Sequence, residues 1–172
     1  MEFVVFMRGV NLGGTKRFRP SALAADLADL AVTNIGAAGT LIVRRGTDPE
    51  AVRAEILRKL PFEPEMMICP AGEVLKLAKG PPPGGDPAGT KRFVSVMATP
   101  PARVPRLPID EPPGEAWEVR VLRVTGRYAL TLRRGRGVLY PNEVVERKLG
   151  VRATTRGWET LVQVRERLKA DR

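Results

Sequence analysis

The sequence predicts an α+β protein of two halves, each an antiparallel sheet crossed by helices, with one further helix at the C-terminal end. Three observations predict it. Over roughly the first seventy residues, short apolar or β-branched runs and helical stretches follow one another in the order β-α-β-β-α-β. A Pro/Gly-rich segment, PPPGGDPAGT at 81–90, then reads as a stiffened linker. Beyond it a strand, an irregular stretch, a hairpin, a helix and a strand repeat the first order loosely. With 172 residues, 43% of them hydrophobic, the chain has the apolar side chains for a sizeable core.

Each element has its own signal. EFVVFM at 2–7 is aromatic and β-branched, a strand running into a glycine loop. After RPS, where Ser21 is the expected cap, Leu23, Leu27 and Leu30 recur at helical spacing with Asp26 and Asp29 opposite. VTNIGAAGTLIV reads as a hairpin hinged at Gly36 to Gly39. Asp48 caps the next helix with Pro49 at its first position, and Val52, Ile56, Leu57 and Leu60 form its buried stripe. A strand at Glu65 to Cys69 closes at Pro70, and AGEVLKLAKG makes a short helix.

The second half opens with a strand from Arg92 to Ala98, followed by a run too rich in proline for a regular helix. Trp117 to Val124 and Arg127 to Arg133 alternate around Thr125-Gly126 as a hairpin, with Tyr128, Leu130 and Leu132 inward and Arg127, Thr131 and Arg133 outward. Pro141 opens a helix to Leu149. The final helix lies in TTRGWETLVQVRERL, with Thr155 as its expected cap and Trp158, Leu161, Val162 and Leu168 inward. The pattern is that of two ferredoxin-like, split β-α-β halves. Their expected bounds are 1–80 and 91–172, the second including the terminal helix.

Composition closes some chemistries and favours others. The chain has no histidine, which excludes imidazole bases, His-containing triads and His metal sites; no metal site or cofactor is expected. Its one cysteine, Cys69, has no intrachain partner for a disulfide, and no apolar run suits a signal peptide or a membrane span, so a cytoplasmic protein without a membrane partner is expected. The net charge is +10. Residues 1–102 carry 13 basic and 10 acidic side chains, and 103–172 carry 16 and 9, so the excess is concentrated C-terminally. Such a balance attracts anionic partners, although arginine-rich composition alone also produces it.

Two clusters are candidate sites. RGVNLGGTK, residues 8–16, follows a strand and precedes a helix, where phosphate-binding loops sit. It is not a nucleotide P-loop, because Thr15 precedes Lys16 and the helix begins only near residue 21. What it offers is an anion nest of Arg8, Gly9, Asn11, Gly13, Gly14 and Lys16, flanked by Arg17 and Arg19. The competing reading is a turn in which the glycines supply positive φ and Asn11 bonds locally to the backbone. Thr154, Thr155 and Arg156 are the second cluster, readable as a phosphate pocket or as a simple helix cap. The outward arginines of the second hairpin are a third surface, readable as a nucleic-acid face or a solvated one.

FMRGVNLGG and GVRATTRGWETL, at the two ends of the chain, resemble a widespread bacterial domain-of-unknown-function family. Its members open with RGINVGG after a strand and close with a TTRNW-type motif before the last helix. The resemblance spans the chain and implies an α+β fold of two ferredoxin-like halves with no established activity. This sequence departs from the family pattern at Ala37-Ala38-Gly39-Thr40, where members carry Gln-Ser-Gly-Asn, and at Gly157, where they carry Asn. The loop after Pro141-Asn142 and the pair Arg147-Lys148 differ as well. A family site built from those polar groups would be weakened or repurposed here.

These readings lead to a binding module for a phosphate-bearing ligand, nucleic acid first. An enzyme acting on a small phosphorylated substrate is the alternative. It would draw its base from carboxylates such as Glu143, Glu146 or Glu159, from Lys or Tyr, or from Cys69. An oligomeric scaffold joined through an edge strand is the third.

Overall fold

Five consecutive buried residues, FVVFM, make the first strand, β1 (Phe3–Met7), and their uninterrupted apolar character already implies a strand covered on both faces. The computed structural model describes residues 1–14, 16–79 and 86–170. Thr15 and residues 81–85 of the expected linker therefore lie outside the described residues. The element order continues α1 (Pro20–Asp26), β2 (Val32–Ile35), β3 (Thr40–Val43), α2 (Pro49–Lys59), β4 (Met66–Pro70) and α3 (Ala71–Leu77). Then follow β5 (Thr90–Met97), β6 (Ile109–Glu111), β7 (Val119–Thr125), β8 (Tyr128–Arg134), α4 (Pro141–Leu149), β9 (Ala153–Gly157) and α5 (Trp158–Ala170).

The two sheets share one topology. The first has the strand order β2-β3-β1-β4 and the second β6-β7-β8-β5-β9, with every pairing antiparallel. In each, the half's first strand is central, between the second strand of its hairpin (β3 or β8) and its last strand (β4 or β9), which is the split β-α-β arrangement. The fold is thus α+β, two such halves with a C-terminal helix, as the element order predicts. In the second half the Pro-rich stretch replaces the first crossover helix and adds β6 as an extra edge strand.

The chain forms two compact units, Met1–Lys79 with Thr160–Arg172, and Gly80–Glu159. Nearly all of α5, grouped by sequence with the C-terminal half, belongs to the first unit. There Arg165 donates to the Ala78 carbonyl at 3.1 Å, and the Arg167 carbonyl accepts from Arg44 at 2.8 Å. In that unit Leu23 and Leu27 from the α1 region and Val52 and Ile56 from α2 pack on Phe3, Val5, Leu41, Val43 and Ile68 of the sheet. Asp48 caps α2 as expected, accepting from the Ala51 N–H at 2.9 Å. In the second unit Val144, Val145 and Leu149 of α4 cover Met97, Val119, Val121, Ala129 and Ala153.

Four local expectations change. Ser21 is not a cap: Arg19 occupies that position and Pro20, with its φ already helical, takes the first turn. Thr155 is not a cap either, because β9 continues to Gly157 in register with β5 and the helix begins at Trp158. Thr131, placed outward by alternation, is fully buried, since β8 is an inner strand covered on both faces. On α5 the buried positions are Leu161, Val164 and Leu168, so Val164 takes the place expected of Val162, which is half-buried like Trp158.

Candidate anion sites

The N-terminal loop is shaped by its own polar groups. Gly9, Asn11, Gly13 and Gly14 all adopt positive φ, and the Asn11 side chain staples the turn, donating to the Ala37 carbonyl at 2.9 Å and accepting from the Phe18 N–H at 3.0 Å. Two backbone donors are also consumed, Arg8 N–H by the Glu65 carbonyl and Asn11 N–H by the Lys16 carbonyl. The Arg8 guanidinium lies 3.7 Å from the Glu65 carboxylate. Asn11 and Arg8 therefore build the loop. The loop's fully exposed cations are Lys16, Arg17 and Arg19, all without an ion pair or side-chain hydrogen bond among the described residues. Arg17 and Arg19 join Asn11, Phe18, Pro20, Ser21 and Ala37 around an open groove of about 670 Å³.

Thr154, Thr155 and Arg156 are spread over the two faces of β9. Thr155 donates to Asn142 Oδ1 at 2.9 Å and meets the Ser95 hydroxyl at 2.6 Å, tying the first turn of α4 to the sheet. Thr154 and Arg156 share the opposite face, where Arg156 Nη1 donates to Thr154 Oγ1 at 2.8 Å. Arg156 is only 6% exposed, and burial pushes its pKa down to about 10.

Sequence reasoning missed the residue beside it. Arg92 stands on β5 on the same face as Val94, and Val94 pairs in register with Arg156, so the two arginines are diagonal neighbours. Arg92 is 6% exposed and its guanidinium stacks 5.1 Å from the centre of the Trp158 ring. Asp86 accepts from Nη2, while Nε and Nη1 reach no acceptor among the described residues. The signal was present: in Arg92-Phe93-Val94-Ser95-Val96, alternation puts an arginine on a face otherwise held by valines.

The hairpin arginines, by contrast, serve the protein itself. Arg127 donates to the Met97 and Ala98 carbonyls, and Arg133 to those of Gly137 and Leu139 while lying 4.3 Å from the Tyr140 ring centre. Arg120 and Arg134 both stack on Trp117, at 4.5 and 4.0 Å from its centre. Arg120 also grips Asp110 through two bonds of 2.6 and 2.8 Å, which holds that carboxyl below its ordinary pKa of 3.8. Much of the C-terminal basic excess is consumed in this way. Among the described residues no group of three His, Cys, Asp or Glu side chains is placed to hold a metal, and no helix is long and apolar enough to cross a membrane.

No protein-family model and no curated protein matches the chain. Among solved structures it is similar to that of a conserved bacterial protein from Streptococcus pneumoniae, with a TM-score of 0.57 and 15% sequence identity over 98% of both chains. That likeness is one of fold.

Proposed function

We propose that this protein binds a phosphate-bearing ligand, and that a single-stranded nucleic acid is held along the groove beside the N-terminal glycine loop. The observation that carries the reading is a run of exposed cations, Arg17 and Arg19 lining that groove and Lys16 preceding them in the chain, none with an ion pair or side-chain hydrogen bond among the described residues. An exposed cation gains little from one phosphate, because water screens the pair. Useful affinity at such a run comes from a polymer that presents several phosphates in succession, each releasing counterions as it is neutralised. The hairpin arginines do not compete for this role, being committed to carbonyls and to aromatic faces.

The opening and closing motifs support membership of the bacterial family they resemble, and the single buried cysteine suits a reducing cytoplasm. The test is fluorescence anisotropy of labelled single-stranded RNA with the protein and with an Arg17→Ala, Arg19→Ala double variant. Backbone recognition predicts that the variant weakens binding about uniformly across oligonucleotide sequences. Unaltered affinity in the variant, or no binding by the parent protein at low salt, would overturn the proposal.

A further inference from the structure

The second unit holds a buried arginine, Arg92, whose donors are only partly met among the described residues. We propose that Arg92, with Arg156 diagonal to it across the β5/β9 pairing, forms a receptor for one small phosphoryl group, inorganic phosphate or a phosphomonoester, in which the Asp86 carboxylate holds the anion's place. The face that carries these groups is dry: Arg92 and Arg156 are each 6% exposed and Thr154 is 4% exposed. A guanidinium carries five N–H donors. Asp86 takes up Nη2 of Arg92, which leaves the donors on Nε and Nη1 buried without an acceptor among the described residues.

Buried donors of a charged group are costly to leave unmet, so the arrangement marks a place where an acceptor is missing. Stacking on Trp158 satisfies the face of the guanidinium but not its edge. An acceptor that meets an arginine edge through several oxygens at once is a tetrahedral phosphoryl group, whose geometry matches the arginine fork. Arg156 stands one diagonal step away across the β5/β9 pairing and adds a second positive charge, so the site suits a dianion better than a monocarboxylate. Asp86 is the exchangeable partner: its side chain is 24% exposed, against 4% for that of Arg92, so it lies at the solvent side of the pair.

Isothermal titration with inorganic phosphate tests the assignment, using the full chain, Asp86→Asn and Arg92→Gln. The parent protein should bind phosphate at one site. Asp86→Asn, which removes the competing carboxylate, should bind at least about tenfold more tightly, the equivalent of one charge-assisted hydrogen bond. Arg92→Gln should abolish binding while circular dichroism shows it folded. If that variant fails to fold, Asp86→Asn at the exposed end of the pair still decides. No heat of binding to Asp86→Asn at millimolar phosphate, or equal affinity in parent and Asp86→Asn, would overturn the proposal, as would retained binding by folded Arg92→Gln. RNA binding that survives saturating phosphate in the anisotropy assay would show the two sites to be separate.

Discussion

Replacing Gly39 by alanine tests how the hairpin turn between β2 and β3 fixes the N-terminal loop. Gly39 has φ +75°, a conformation that costs an L-residue about 1 kcal/mol. A Cβ there would also stand 2.7 Å from Val10 Cγ2 and 2.8 Å from Met7 Cβ. Both neighbours are buried, at 3% and 1% exposure, and the Gly39 carbonyl accepts from the Met7 N–H at 2.8 Å, so neither side yields easily. Overpacking of this kind adds about 2 kcal/mol, giving about 3 kcal/mol in all. For a chain of this size each kcal/mol lowers Tm by about 3 °C, so Gly39→Ala should melt about 9 °C lower. Gly36, in the same turn at φ +67° with nothing within 4 Å of its Cβ position, is the control: Gly36→Ala meets only the conformational cost and should lose about 3 °C. Differential scanning calorimetry reads both. Equal losses in the two variants would refute the steric argument and the close approach of the turn to Val10 on which it rests.

Two further outcomes follow from buried or paired groups. Asp110 is held below its ordinary pKa of 3.8 by its hydrogen bonds to Arg120, so its stabilising contribution is present above that value and is lost as pH falls through the lower folded-state pKa. In urea titrations the stability gap between the parent protein and Asp110→Asn should be constant at neutral pH and shrink below pH 3.8; a gap that persists unchanged in acid would contradict the pairing. Cys69 is fully buried on β4 and should react with a thiol reagent only as fast as the protein unfolds, whereas prompt labelling of the native protein would contradict its placement.

The parts of the fold legible in the sequence are those specified locally. FVVFM is a strand whatever surrounds it, Asp48-Pro49 starts a helix by its own chemistry, and Gly36 to Gly39 turns the hairpin because two of its residues need positive φ. The parts that were not legible are specified by partners. β6 is three residues, Ile109–Glu111, in a proline-rich stretch, and it is a strand because β7 lies beside it. β9 runs on through Thr154 to Gly157 because β5 pairs with it, overriding the capping preference of threonine. The candidate sites divide in the same way. The N-terminal loop was recognisable from its glycines, yet which of its groups bind and which only build the turn depended on the Asn11 and Arg8 partners. Arg92 entered the second cluster only through the register of β5 against β9, a relation between segments about sixty residues apart that no local pattern encodes.

Whether the exposed cations beside the glycine loop bind a phosphate polymer is decided by the salt dependence of single-stranded RNA affinity. Three cations neutralising three phosphates predict a log-log slope of about −2, falling to about −0.7 when Arg17 and Arg19 are replaced by alanine. A slope near zero, or one unchanged in the double variant, would contradict it.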